Sequence, residues 1–278
     1  MRLGGPVFAD HDTPGEWIDA LDDLGYGAAY CPVDPDADPE TVRAYREAAA
    51  EADVEIAEVG AWGVNPVSPD PDEREDAVAS CARHLELADA VGANCAVNVA
   101  GSRGDSWAGP HPENFDADTF DLVVESVREI IDAADPDSAS YTLEAMPTTV
   151  PDSVDSYCRL LDAVDRDAFA VHFDPVNLVA SPRRYADTAG LIDEFVDELG
   201  ERIQCVHLKD VAMGGEPLVH LSEVPPGEGN LDYRALLRAL DDLDDDLPVM
   251  LEHLDGPEAY ERAADHVRSV ADEVGVSV

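Results

Sequence analysis

Residues 140–174 read SYTLEAMPTTVPDSVDSYCRLLDAVDRDAFAVHFD. Two short apolar runs, 140–145 and 168–174, enclose a stretch with the spacing of an amphipathic helix over 152–163. Asp152 and Ser153, directly after Pro151, supply the start signal for that helix. The unit is strand, helix, strand, and the same alternation extends in both directions along the chain. Apolar runs that stop at Gly, Asn, Asp or Pro predict further strands near 2–5, 27–31, 54–60, 94–99, 203–208 and 248–252. Amphipathic spacing predicts helices over 14–24, 39–52, 71–91, 116–134, 187–199, 231–243 and 257–274, with Thr13-Pro14 and Asp38-Pro39 marking two of the starts. Eight strand–helix pairs with nothing left over predict an α/β protein, a single (β/α)8 barrel spanning residues 1–278 as one domain. An open doubly wound sheet is the competing architecture. Against it, no GxGxxG loop follows the first strand, and the candidate catalytic residues end several late strands instead of gathering at one crevice.

Charge narrows the class further. The chain holds 62 acidic residues against 17 basic ones, a formal net charge of −45, and Lys209 is its only lysine. The regular apolar runs contradict disorder, so the reading is a folded protein with a carboxylate-coated surface, the pattern of a halophile that keeps salt in its cytoplasm. Such a surface repels a phosphate backbone, which excludes a nucleic-acid partner. No stretch approaches the roughly 18 uninterrupted apolar residues of a membrane helix, and MRLGGPVFADHD has none of the regions of a signal peptide. The expectation is a soluble, cytoplasmic protein without a membrane partner. Cys31, Cys81, Cys95, Cys158 and Cys205 are odd in number and widely spaced, which predicts small buried side chains, not disulfides or a thiolate metal site.

Four strand ends carry metal-type ligands: Glu144 in YTLEAM, Asp174 in AVHFDPVN, His207 in QCVHLKD and Glu252 in PVMLEH. They fall on the fifth to eighth predicted strands. If all four point inward, Thr142, His172, Cys205 and Met250, two residues earlier, also face the interior one layer lower. Three carboxylates and an imidazole converging there repel one another unless a cation joins them. Oxygen donors with a single nitrogen suit a divalent ion, Mn²⁺ first, with Mg²⁺, Co²⁺ or Zn²⁺ as alternatives. The sole lysine, Lys209, lies two residues beyond His207 and offers an ammonium to a substrate oxygen; an ion pair with Asp210 or another local carboxylate is the plain alternative. His172 is expected to orient a ligand from behind. Asn177, Trp62, Asn98, Arg103 and Glu228 are candidate substrate contacts, with Trp107 and His253 further candidates at the mouth; for Trp62, Trp107, Asn98, Arg103 and His253 ordinary core or loop packing is the equal alternative. The GEGNLDY segment, 227–233, is either a phosphate-binding turn or a turn that positions Glu228.

The LEAMP, FDPVN, VHLKD and GEGNLDY segments and the final LEH resemble the sugar phosphate isomerase/epimerase superfamily, the xylose-isomerase-like TIM barrels that include AP endonuclease family 2. The resemblance covers nearly the whole chain. It implies that Glu144, Asp174, His207 and Glu252 bind the metal, and that Glu144 and Glu252 pass a proton across a substrate carbon through a metal-stabilised enediolate, with Lys209 assisting. Two positions depart from the ketose 3-epimerases within it: Asn177 stands where they place a substrate-binding histidine, and Val150 where they place a glutamate. The implied activity is isomerisation or epimerisation of a small carbohydrate, phosphorylated or free. Dehydration of an inosose or keto-sugar acid at the same site is the second reading. Endonuclease-IV-like DNA cleavage would need more histidine and a basic face, and a non-catalytic sugar-binding barrel comes last. Self-association into a homo-oligomer is left open.

Overall fold

A computed structural model describes all 278 residues. Eight parallel strands close into a barrel: β1 (Arg2–Gly5), β2 (Ala28–Tyr30), β3 (Glu55–Gly60), β4 (Cys95–Asn98), β5 (Ser140–Glu144), β6 (Phe169–Phe173), β7 (Ile203–Leu208) and, after the two strands of a separate hairpin, β10 (Pro248–Leu251), which pairs with both β7 and β1. The hairpin is β8 (Asp210–Met213) with β9 (Leu221–Val224), antiparallel and inserted where the sequence predicts only a long connection. The helices are α1 (Pro14–Leu24), α2 (Pro39–Ala52), α3 (Pro71–Val91), α4 (Ala117–Ala134), α5 (Val154–Val164), α6 (Pro182–Ala186), α7 (Thr188–Leu199), α8 (Tyr233–Asp241) and α9 (Pro257–Val274).

Local chemistry sets the helix boundaries. Thr13 caps α1 in a reciprocal box with Glu16, and Pro14 fills the first turn where a backbone N–H has no partner. Asp38, Ser153, Asp187 and Asp232 cap α2, α5, α7 and α8. The predicted starts at 152, 187 and 231 therefore ran into the capping residues, which are not themselves helical.

Two apolar clusters hold the layers. Sixty-four buried residues form the large cluster that packs helices onto the sheet, while Ala28, Ala57, Cys95, Cys205 and Met250 form a small one inside the barrel. Cys205 and Met250 thus lie in the interior layer expected of them. All five cysteines are free; Cys81, Cys95 and Cys205 are buried, and Cys31 and Cys158 are partly so. No helix is long and apolar enough to cross a membrane.

The pairing of β2 with β3 shifts register: Ala29 faces Ile56, but Tyr30 faces Glu58, leaving Ala57 as an extra residue. A bulge of this kind lets two successive side chains take the same side of a sheet. Ile56 and Val59 pack in the outer cluster, whereas Ala57 joins the inner one and Glu58 turns inward to meet His172.

Candidate metal centre

Glu144 ends β5, Asp174 follows β6, His207 lies near the end of β7 and Glu252 follows β10. Register in a closed parallel barrel therefore delivers all four to the carboxyl end, the end from which barrel loops build their sites. One donor atom from each lies within 4.8 Å of every other, and all four residues are buried. Asp174 is aimed by its own turn: Oδ1 accepts from the N–H groups of Val176 at 2.8 Å and Asn177 at 3.1 Å, which leaves Oδ2 for the cluster. Glu144 Oε1 accepts from the Asn177 side-chain amide at 2.8 Å. The Nδ1 atom of His207 faces Glu144 at 3.3 Å and Glu252 at 3.1 Å.

Lys209 stands among these carboxylates, 2% exposed in its side chain, with its ammonium 2.7 Å from Asp174 Oδ2, in contact with Glu252 Oε1, and 3.7 Å from Glu144. The ion-pair alternative for this lysine is thus met by Asp174 and Glu252, but not by Asp210, whose carboxylate accepts from the backbone N–H groups of Val211, Gly227, Gly229 and Leu231. Asp174 Oδ2 and Glu252 Oε1 are buried without a hydrogen bond; the lysine touches both as an ion, outside hydrogen-bond geometry. Two unsatisfied carboxylate oxygens, a third carboxylate and an imidazole nitrogen converging in one place form a donor set that fits a divalent cation.

The electrostatics follow from this crowding. Burial pushes the Glu144 carboxyl up, but the His207 hydrogen bond and the charges of His207 and Lys209 outweigh it and hold the group at about 2. Asp174 goes the other way: burial, helped by the neighbouring charges of Glu144 and Glu252, overrides Lys209 and lifts it to about 8. For His207, burial lowers the imidazole while Glu252 and Glu58 raise it, and the carboxylates prevail, leaving it well above the usual histidine range.

Above the cluster opens a cavity of about 540 Å³, within the range of small-molecule sites. Trp62, Trp107, Asn177, Lys209, Glu223 and His253 are among its lining residues. Trp62 is 44% exposed, with its ring 6.5 Å from that of His207. His253, in a left-handed backbone conformation with φ 55, faces Glu223 at 2.9 Å. No arginine lines the cavity.

Three expected substrate contacts are not brought to this mouth. Asn98 is fully buried beside α3, where its amide lies 3.4 Å from Cys81 Sγ and its oxygen accepts from Val99 N–H; the side chain at the end of β4 points outward. Arg103 clasps two loops together, donating to the Val67 carbonyl at 2.6 Å and lying 3.9 Å from Glu113. Glu228 is exposed outside the cavity, and the amides of its turn are occupied by Asp210, so no free N–H cradle remains there for a phosphate.

Sequence reasoning missed Glu58 and Glu223. Glu58 is 1% exposed, with His172 Nε2 at 2.8 Å and His207 Nε2 at 3.3 Å. A charged residue inside the apolar run VEIAEVG was its one available signal. His172 accordingly reaches the cluster through Glu58, and its ring also packs against His207 with centroids 4.1 Å apart.

A closed parallel barrel with carboxylates and imidazole gathered at the carboxyl ends of its strands defines a TIM-barrel protein with a candidate metal centre. The chain belongs to the family of xylose isomerase-like TIM barrels, whose sequence pattern matches residues 18–270. A comparison with functionally curated proteins finds no sequence match. Solved structures are similar in fold. A xylose isomerase-like TIM barrel protein from Mycobacterium smegmatis, in complex with magnesium, is 18% identical, with 98% of this chain and 96% of that one covered and a TM-score of 0.69. Endonuclease IV from Thermus thermophilus is 20% identical over 98% of this chain and 100% of its own, with a TM-score of 0.74. D-Psicose 3-epimerase from Clostridium cellulolyticum, solved with D-tagatose, is 17% identical over 100% of both chains, with a TM-score of 0.72.

Proposed function

We propose that this protein is a divalent-metal-dependent isomerase or epimerase of a small unphosphorylated carbohydrate. The observation that carries the reading is the buried convergence of Glu144, Asp174, His207 and Glu252 within 4.8 Å beneath an aromatic-lined cavity. These four residues hold the ion, Mn²⁺ by preference. When bound it would supply Lewis acidity toward a substrate carbonyl. Glu144 and Glu252 approach the substrate from different strands, so one removes a proton from the carbon beside the carbonyl and the other returns it. Both are weak bases, and placement supplies more of the rate than basicity does. Lys209 donates to a substrate oxygen, and Trp62 and Trp107 offer faces on which a sugar stacks.

The lining favours an unphosphorylated substrate. The charges of its cationic side chains, Lys209 and His253, are offset by neighbouring carboxylates, and it contains no arginine to grip a phosphate. The same lack of free positive charge, with a net charge of −45, argues against DNA as substrate despite the similarity in fold to endonuclease IV. The acidic composition supports a cytoplasmic protein of a salt-accumulating cell.

The test is deuterium uptake from D₂O by a panel of free ketoses, keto acids and their phosphates, in molar KCl with and without Mn²⁺. Uptake is expected for unphosphorylated members only, to depend on Mn²⁺, and to fall by about 10²–10⁴-fold in Glu144→Gln and Glu252→Gln. Exchange that survives in both variants removes these residues from proton transfer. A product that has lost water assigns dehydration instead.

A further inference from the structure

We infer that Glu58, held by His172, is a positioning residue that fixes which nitrogen of His207 is offered to the ion. The inference rests on the metal-binding reading above and concerns a residue outside the proposed ligand set.

Both ring nitrogens of His207 have partners, and the partners differ. Nδ1 faces the cluster, 3.3 Å from Glu144 and 3.1 Å from Glu252, while Nε2 points away from it, 3.3 Å from Glu58. A neutral imidazole that gives one nitrogen's lone pair to a cation must carry its proton on the other, and a buried N–H needs an acceptor. His207 is fully buried and Glu58 is 1% exposed, so the Glu58 carboxylate, not bulk water, accepts that proton's hydrogen bond. His172 fixes the carboxylate in turn, its Nε2 donating to Glu58 Oε2 at 2.8 Å. The Nδ1 atom of His172 is buried without a partner, which leaves Nε2 as the nitrogen that meets the carboxylate. The bulge in β3 is what aims Glu58 at this place. A carboxylate behind a ligating histidine sets the ring's tautomer and raises its donor strength, and losing such a partner typically weakens metal affinity about 10–100-fold.

Glu58, His172 and Cys205 also lie within 4.8 Å of one another and together could take a second ion. A cation there would compete with the two histidine nitrogens for Glu58, so the positioning role predicts one ion per chain.

The experiment uses Mg²⁺ and Mn²⁺ as probes on the full-length chain in molar KCl. Wild-type protein is expected to bind one ion with an affinity that Glu144→Ala destroys; an affinity indifferent to Glu144→Ala sinks the metal-site reading itself. Given that site, ¹⁵N-correlated NMR of the Mg²⁺-loaded wild type should show His207 protonated on Nε2 and not on Nδ1. Glu58→Gln, whose amide N–H₂ would oppose one of the two histidine donors, should lower Mn²⁺ affinity about 10–100-fold. Glu58→Asp should recover part of the loss, and His172→Gln should show a smaller loss in the same direction. A merely structural Glu58 would lower the melting temperature and leave the affinity of the folded protein unchanged. Affinity within twofold of wild type in Glu58→Gln, a proton on His207 Nδ1, or two ions per chain would each overturn the inference while leaving the metal site standing.

Discussion

Beside His207, Lys209 is the one lysine or arginine placed among the buried carboxylates, and the charge count there bears on why a lysine stands where every other such position of the chain is arginine. In the proposed metal-bound state Glu144, Asp174 and Glu252 would bring three negative charges, which one ammonium and one divalent cation would balance. A compact ammonium would leave more room for a second cation than a planar guanidinium with five donors. Lys209→Met should therefore cost the metal-free protein about 3–5 kcal/mol, the usual penalty for leaving buried charge without its partner. Denaturant titration in molar KCl measures this, and added Mn²⁺ should restore a larger share of stability in the variant than in the wild type. Binding should also depend on pH with a definite sign. Burial lifts Asp174 and neighbouring carboxylates raise His207, so both favour their protonated forms in the ion-free chain, and an ion binding there would displace those protons. Mn²⁺ binding should release protons at pH 7, and affinity should rise as pH increases from 6 to 8. Calorimetry in buffers of different ionisation enthalpy reads the proton count; no buffer dependence would contradict the assignment.

Among the elements, the eight barrel strands were legible because each is a short apolar run closed by a turn residue, and the four expected ligands sit at such closures. What escaped the reading escaped for reasons of geometry. Alternation along β3 would put Glu58 on the same face as Ile56, and only the extra residue at Ala57, visible in the pairing with β2, turns it inward. Asn98 failed the other way, because the last residue of β4 points at α3. The β8–β9 hairpin carries little apolar patterning, and Met213, Leu218 and Val219 near its tip are exposed, so nothing in DVAMGGEPLVHLSEV marked it as paired or marked Glu223 as a wall of the cavity. The following turn is latched by Asp210, whose carboxylate takes four backbone N–H groups, and it closes so tightly that a Cβ on Gly229 would lie 2.3 Å from Asp210 Oδ1. Asp210→Ala should release this turn, costing about 1–3 kcal/mol as the buried N–H groups of Val211 and Leu231 are left unpaired. Faster amide hydrogen exchange at Gly227, Gly229 and Leu231, with little change at β5 and β6, is the expected signature.

For the whole molecule, fold and charge pull in opposite directions. The barrel encloses its polar cluster within large apolar layers, and those layers favour compaction, yet 62 acidic residues against 17 basic ones leave a surface that repels itself. A globular chain of this length has a radius of gyration of about 19 Å. The Debye length is about 30 Å at 0.01 M salt, so in dilute buffer carboxylates on opposite faces of the barrel still interact; at 1 M it is about 3 Å, and only near neighbours do. The thermal midpoint should therefore climb steeply between 0.01 M and 1 M KCl and flatten beyond. Because the repulsion is spread over the surface, saturating the central site with Mn²⁺ in dilute buffer should raise the midpoint without replacing molar salt. Sucrose at matched osmolality separates the causes, since it is excluded from protein surface but screens no charge. If sucrose restored the midpoint as fully as KCl, water exclusion and not screening would govern the fold; a midpoint indifferent to KCl would show that the acidic surface places no burden on it.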